Sequence, residues 1–77
     1  ILVDNYLSYI TIDKEIRFGK PTIKGTRIAV SDVLQWFASG MTEDKILDDY
    51  PYLSKEQIRA ALLFAAHKEE LTKIIAA

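Results

Sequence analysis

The run from Leu53 to Ile75 is the feature that most constrains this fold. Ser54 at the N-cap and Gln57 three residues later form a capping box, and Leu53 with Ile58 has the spacing of a hydrophobic staple. The pattern predicts a helix running to Ile75. Its apolar residues form two stripes. Ile58, Ala61, Leu62 and Ala65 make one; Ala60, Leu63 or Phe64, His67, Leu71 and Ile74 make the other. Residues 62 and 64 stand about 200° apart at 3.6 residues per turn. A helix apolar on both sides must be covered on both sides. One face is expected to pack on two preceding helices. The other is expected to pack on N-terminal strands, on a second copy of the chain, or on both.

Those two helices are readable as well. Ser31 is the expected N-cap of the first, with Asp32 in its first turn, where the helix dipole favours a negative charge. Val33, Leu34, Trp36 and Phe37 form its apolar face, and Gly40 ends it. Thr42 is the expected N-cap of the second, with Glu43 and Asp44 in the first turn and Met41 and Ile46 at staple spacing. Ile46, Leu47 and Tyr50 would face the core, and Pro51 stops the helix. Tyr50 and Tyr52, with Trp36 and Phe37, read as core rather than as a base-stacking platform.

Before Ser31 the period shortens. In YITID, residues 9–13, Ile10 and Ile12 alternate with polar neighbours, and in RIAV, residues 27–30, Ile28 and Val30 do the same. IRF and TI are β-prone fragments between them. Strands this short are not stable as a lone hairpin and must lean on the helices or on another chain. The fold class expected is mainly α: a three-helix, helix-turn-helix (homeodomain-like) core with short N-terminal β-strands. One domain is expected over 1–77, with the β region at 9–30 and the tri-helical core at 31–77.

Between the strands lies GKPTIKGTR, residues 19–27. A phosphate loop needs two glycines five apart, then Lys-Ser/Thr, then a helix. Gly19 and Gly25 are six apart, Thr26-Arg27 follow, and the next segment reads as strand, so the cradle fails on spacing and on context. Turn chemistry accounts for the glycines and for Pro21, with Lys24-Gly25 reversing the chain between Ile23 and Ile28. It does not account for Lys20, Lys24 and Arg27, which would suit phosphate or an acidic partner.

Charge is unevenly spread. The chain has 77 residues and a net charge of −1, which is not the bulk basic character of a non-specific nucleic-acid binder. Yet residues 14–27 carry five basic side chains against Glu15, and residues 31–54 carry five acidic ones against Lys45. A domain this small buries only about 60% of its unfolded surface, so oligomerisation often supports it. There is no cysteine, which excludes disulfides and thiolate metal sites and suits a reducing cytoplasm. The start, ILVDNYLSYI, has Asp4 and no basic segment and does not read as a signal peptide; the chain is expected to be part of a longer product.

Enzyme chemistry finds no foothold. His67 is the one histidine, set among Ala and Phe, and lacks the partners a general base or a metal site requires. Asp48 and Asp49 are adjacent on a helix and point apart. No catalytic residue, cofactor, metal, membrane contact or small-molecule substrate is expected. The second and third helices, joined by PYL, resemble a helix-turn-helix, whose second helix reaches base edges with its first residues. Those would be Lys55, Glu56, Gln57 and Arg59; Arg and Gln suit guanine and adenine. Candidate DNA contacts are therefore Lys55, Gln57 and Arg59, with Lys24 and Arg27. Candidate partner or dimer contacts are Lys20, Phe64, His67, Leu71, Ile74 and Ile75. The turn is long, carries Pro51 and no glycine, and follows an acidic helix that would repel phosphates.

Read together, the two motifs resemble a known family, the small bacterial domain of unknown function number 433. Gly19, Pro21, Ile23, Gly25, Thr26, Arg27, Ile28 and Val30 match its first motif. Gly40, Thr42, Ile46, Tyr50, Pro51, Leu53, Ser54, Ile58, Ala60, Ala61 and Leu62 match its second. The resemblance spans roughly residues 9–66; Lys45 departs from it, where Glu is usual. It implies a homeodomain-like core with a short β region, often dimeric. It also implies an antitoxin of a toxin–antitoxin pair, which binds a ribonuclease-like toxin and its own promoter. A DNA-binding regulator without a toxin and a structural dimerisation module are the other two roles left open.

Overall fold

A computed structural model of the chain describes residues 5–76, and side chains for residues 5–68. The architecture is mainly helical. A short 3-10 turn at Tyr6–Tyr9 leads into β1 (Ile10–Thr11), and a second at Arg17–Gly19 precedes β2 (Thr22–Ile23). Three helices follow: α1 (Val30–Ala38), α2 (Glu43–Asp49) and α3 (Lys55–Ala76). β1 and β2 pair antiparallel, with Ile10 opposite Ile23 and Thr11 opposite Thr22.

The helix boundaries follow their caps. Thr42 Oγ1 accepts the Lys45 N–H at 3.2 Å. The Ser54 N–H donates to Gln57 Oε1 at 2.8 Å, and the Gln57 N–H donates to Ser54 Oγ at 3.2 Å, so the capping box is closed both ways. At the end of α1, Gly40 takes φ +100°. Its N–H reaches the Phe37 carbonyl at 3.0 Å, and the Met41 N–H reaches Trp36 at 3.1 Å, the pair of bonds that closes a Schellman motif.

Several expectations need correction. α1 starts one residue earlier than Ser31, with Ala29 as N-cap and Ser31 exposed inside the helix. The cause is Asp32, whose Oδ2 accepts the Ala29 N–H at 3.0 Å and so caps the helix from within. RIAV forms no strand; only Ala29 bridges to Thr22. IRF is not β-like, since Arg17 and Phe18 adopt φ of +53° and +60°. β1 stops at Thr11, which leaves Ile12 64% exposed. Tyr52 lies in the turn after Pro51, 65% exposed rather than in the core.

Ile23, Val33, Ile46 and Ile58 are fully buried and form one cluster with Ile28, Val30, Leu53 and Ala61. Each aliphatic side chain so buried contributes about 1.5–3 kcal/mol. Trp36, Phe37, Leu47 and Tyr50 pack on its edge. Both α3 stripes are used: Ile58 and Ala61 from one and Ala60 from the other are fully buried. α3 packs against α1 and α2 and also against the first 3-10 turn and β1.

Candidate partner-binding face

The basic loop is built around one stapled arginine. Arg17 Nη1 donates to the Arg27 carbonyl at 2.8 Å and to Asp32 Oδ2 at 3.0 Å. This ties the second 3-10 turn to the end of the loop and to the first turn of α1. Burial alone would raise the Asp32 carboxyl. The Ala29 N–H, the Arg17 guanidinium and the Lys20 charge outweigh burial and hold it below its usual value.

The staple leaves the other basic residues outward. Lys24 and Gly25 form the reversal, with the Thr26 N–H on the Ile23 carbonyl at 3.0 Å and the Ile23 N–H on Ile28 at 2.9 Å. Gly25 sits at φ +83° with open space where a Cβ would stand, so the backbone conformation and not crowding favours glycine. Lys20, Lys24 and Arg27 are exposed, and among the described residues Lys24 and Arg27 form no side-chain ion pair. Beside Arg27 is an open depression of about 520 Å³ lined by Ile16, Gly25, Thr26, Arg27 and Tyr52. It joins the loop to the turn between α2 and α3. Sequence reasoning missed Tyr52 here; the signal was Pro51, which ends the helix and leaves its follower no helical face.

The expected DNA-reading side chains do not form a free row. Lys55 is exposed. Gln57 spends its carbonyl on the cap of α3. Arg59 Nε lies 3.4 Å from Glu43 Oε2 on α2, an ion pair without hydrogen-bond alignment.

The expected partner contacts divide. Phe64 and Lys20 line a second groove of about 370 Å³, with Pro21, Val30, Leu34 and Ala65. His67 instead meets its own chain, stacked on Tyr6 with centroids 5.1 Å apart and planes at 26°. Its Nδ1 is buried without a hydrogen bond among the described residues. The side chains of Leu71, Ile74 and Ile75 lie outside the described residues. No helix among the described residues is long and apolar enough to cross a membrane.

Comparison with known proteins decides the family. Residues 10–65 match the family described as "Protein of unknown function (DUF433)". The chain belongs to that family. A solved DUF433 member from Anabaena variabilis is similar, with TM-score 0.75 and 27% identity over 95% of this chain and 77% of that one. The uncharacterized protein y4eO of Sinorhizobium fredii is 36% identical over 56 residues, 73% of this chain. The chain spans 25% of that relative's length. The DUF433 match includes all five residues of the Arg27–Tyr52 depression.

Proposed function

We propose that this DUF433 protein is a non-catalytic, cytoplasmic binding module that serves as the antitoxin of a toxin–antitoxin pair. It neutralises a ribonuclease-like toxin through Lys24, Arg27 and Tyr52. The depression between Arg27 and Tyr52 carries this reading. Arg and Tyr are the side chains that most often anchor protein interfaces, and here they flank a concavity. The uncovered charge of Lys24 and Arg27 suits an acidic rim on the toxin and would speed its capture.

Co-expression with the cognate toxin and binding of the two purified proteins test it. Arg27→Ala and Tyr52→Ala are expected each to weaken toxin binding tenfold or more, with the folded chain's circular dichroism unchanged. Toxin affinity indifferent to both substitutions would refute the assignment of this face.

Contact with its own promoter DNA is the companion reading, supported by exposed Lys24, Arg27 and Lys55. It draws less support than toxin binding because Gln57 and Arg59 are engaged within the chain. Fluorescence anisotropy with promoter and scrambled DNA at two salt concentrations separates the two. Each phosphate contact removed should lower the salt slope by about one.

A further inference from the structure

Phe18 is the most exposed large apolar side chain among the described residues, at 97%. It joins neither the core cluster nor an aromatic pair among them. Its backbone is strained, with φ +60° after Arg17 at +53°. Non-glycine residues persist in that region where the surroundings over-determine them, and they gather at binding sites. The Arg17 staple to Arg27 and Asp32 supplies the constraint here. The turn is closed around the ring as well, with the Gly19 N–H on the Ile16 carbonyl and the Lys20 N–H on the Arg17 carbonyl, both at 3.2 Å. The chain thus fixes a phenyl ring that adds nothing to its core.

The same staple ties this turn to the Arg27–Tyr52 depression. Ile16, two residues before Phe18, lines that depression. Arg17, one residue before it, has its guanidinium 2.8 Å from the Arg27 carbonyl. An interface of standard size covers about 800 Å² per partner, a patch about 16 Å in radius. A protein seated over Arg27 therefore reaches the turn that carries Phe18. Charge narrows what the ring can meet. Around the turn, exposed Asp13 and Glu15 cancel exposed Lys14 and Lys20. A tip that is formally neutral suits neither a phosphate backbone nor an anionic lipid surface. It suits an apolar pocket, where a phenyl ring buries about 150–250 Å². Because the turn is set before binding, little ordering is left to oppose that gain.

We infer that Phe18 is the apolar anchor of the toxin contact, entering an uncharged pocket of the toxin beside the acidic rim that meets Lys24 and Arg27. The inference rests on the proposed antitoxin role and adds a second chemical feature to the partner that role requires.

Binding kinetics with the purified toxin of the co-expression experiment, at two salt concentrations, test it. Phe18→Asn should weaken binding tenfold or more through faster dissociation, by a factor that salt leaves unchanged. Lys24→Ala should act mainly on association, and less at high salt. Phe18→Gly, which takes the left-handed turn without strain, should match Phe18→Asn, and both should keep the helical circular dichroism. Toxin affinity unmoved in both Phe18 variants, with Arg27→Ala still disruptive, would overturn the inference and leave the antitoxin role standing. A loss that fades at high salt would make the contact electrostatic and overturn it too. A wild type that does not bind the toxin would refute the antitoxin role itself, and the assignment of Phe18 with it. Sedimentation of the free chain covers the other occupant: self-association that Phe18→Asn abolishes while toxin affinity holds would give the ring to a second copy and overturn the inference.

Discussion

The start of α3 and the loop at residues 14–27 are held in opposite ways. α3 starts with a cap closed by neighbours three residues apart and sends Ile58, Ala60 and Ala61 into a dry core. Outside β2, whose Thr22 and Ile23 are fully buried, the loop has little apolar cover and takes its shape from Arg17, which reaches ten residues to Arg27 and fifteen to Asp32. It keeps Phe18 at φ +60° and fully in solvent. Burial is concentrated in the first region, and the proposed recognition in the second, where exposed residues such as Phe18 are displayed at some conformational cost.

Substitutions can press on that contrast. Ile58→Ala should be the most damaging, lowering stability by about 2–5 kcal/mol through lost burial and a residual cavity, measured by urea unfolding. Ser54→Ala should cost about 1 kcal/mol by opening one side of the α3 cap, read by the same method.

Phe18→Asn should act with the opposite sign. Asparagine tolerates the left-handed region better than phenylalanine, so the chain should gain about 1 kcal/mol. A more stable variant would show that the loop carries conformational cost rather than core contacts at this position. A destabilised one would mean that Phe18 supports the fold.

The Arg17 staple predicts a pH effect. The Asp32 carboxyl is lowered in the folded chain, so its contribution is full above the ordinary aspartate value of about 3.9 and is lost as pH falls through the folded value. Asp32→Asn should lower stability at neutral pH and flatten that part of the acid limb of a stability titration. An unchanged acid limb would remove the staple as its source. The smallest effect belongs to Lys24→Ala, within about 0.5 kcal/mol in stability, though on the proposed function it should weaken binding of the toxin.

Much of the helical layer was legible because its signals are local. Thr42 and the Ser54–Gln57 pair cap helices with atoms three residues away, and periodicity located Ile46 and Ile58 in the core. The start of α1 escaped because its cap is Asp32, fixed in place by an arginine fifteen residues earlier. The same pair holds the loop, so nothing near Phe18 in the chain announced a left-handed turn. Lys24 and Arg27 were visible as charge on a reversal. Arg59 looked free on the sequence because its partner, Glu43 on α2, comes beside it only when the helices are assembled, whereas the capping box already committed Gln57 to Ser54.

Trp36 has a practical consequence. It is the one tryptophan in the chain, and its ring lies 4.6 Å from that of Tyr50, nearly parallel at 17°. Tyr50 closes the end of α2, so the stack spans α1 and α2. The indole is thus a built-in optical reporter of whether those two helices are docked. Its emission should change when they part, which lets the docking of α1 and α2 be followed without any added dye.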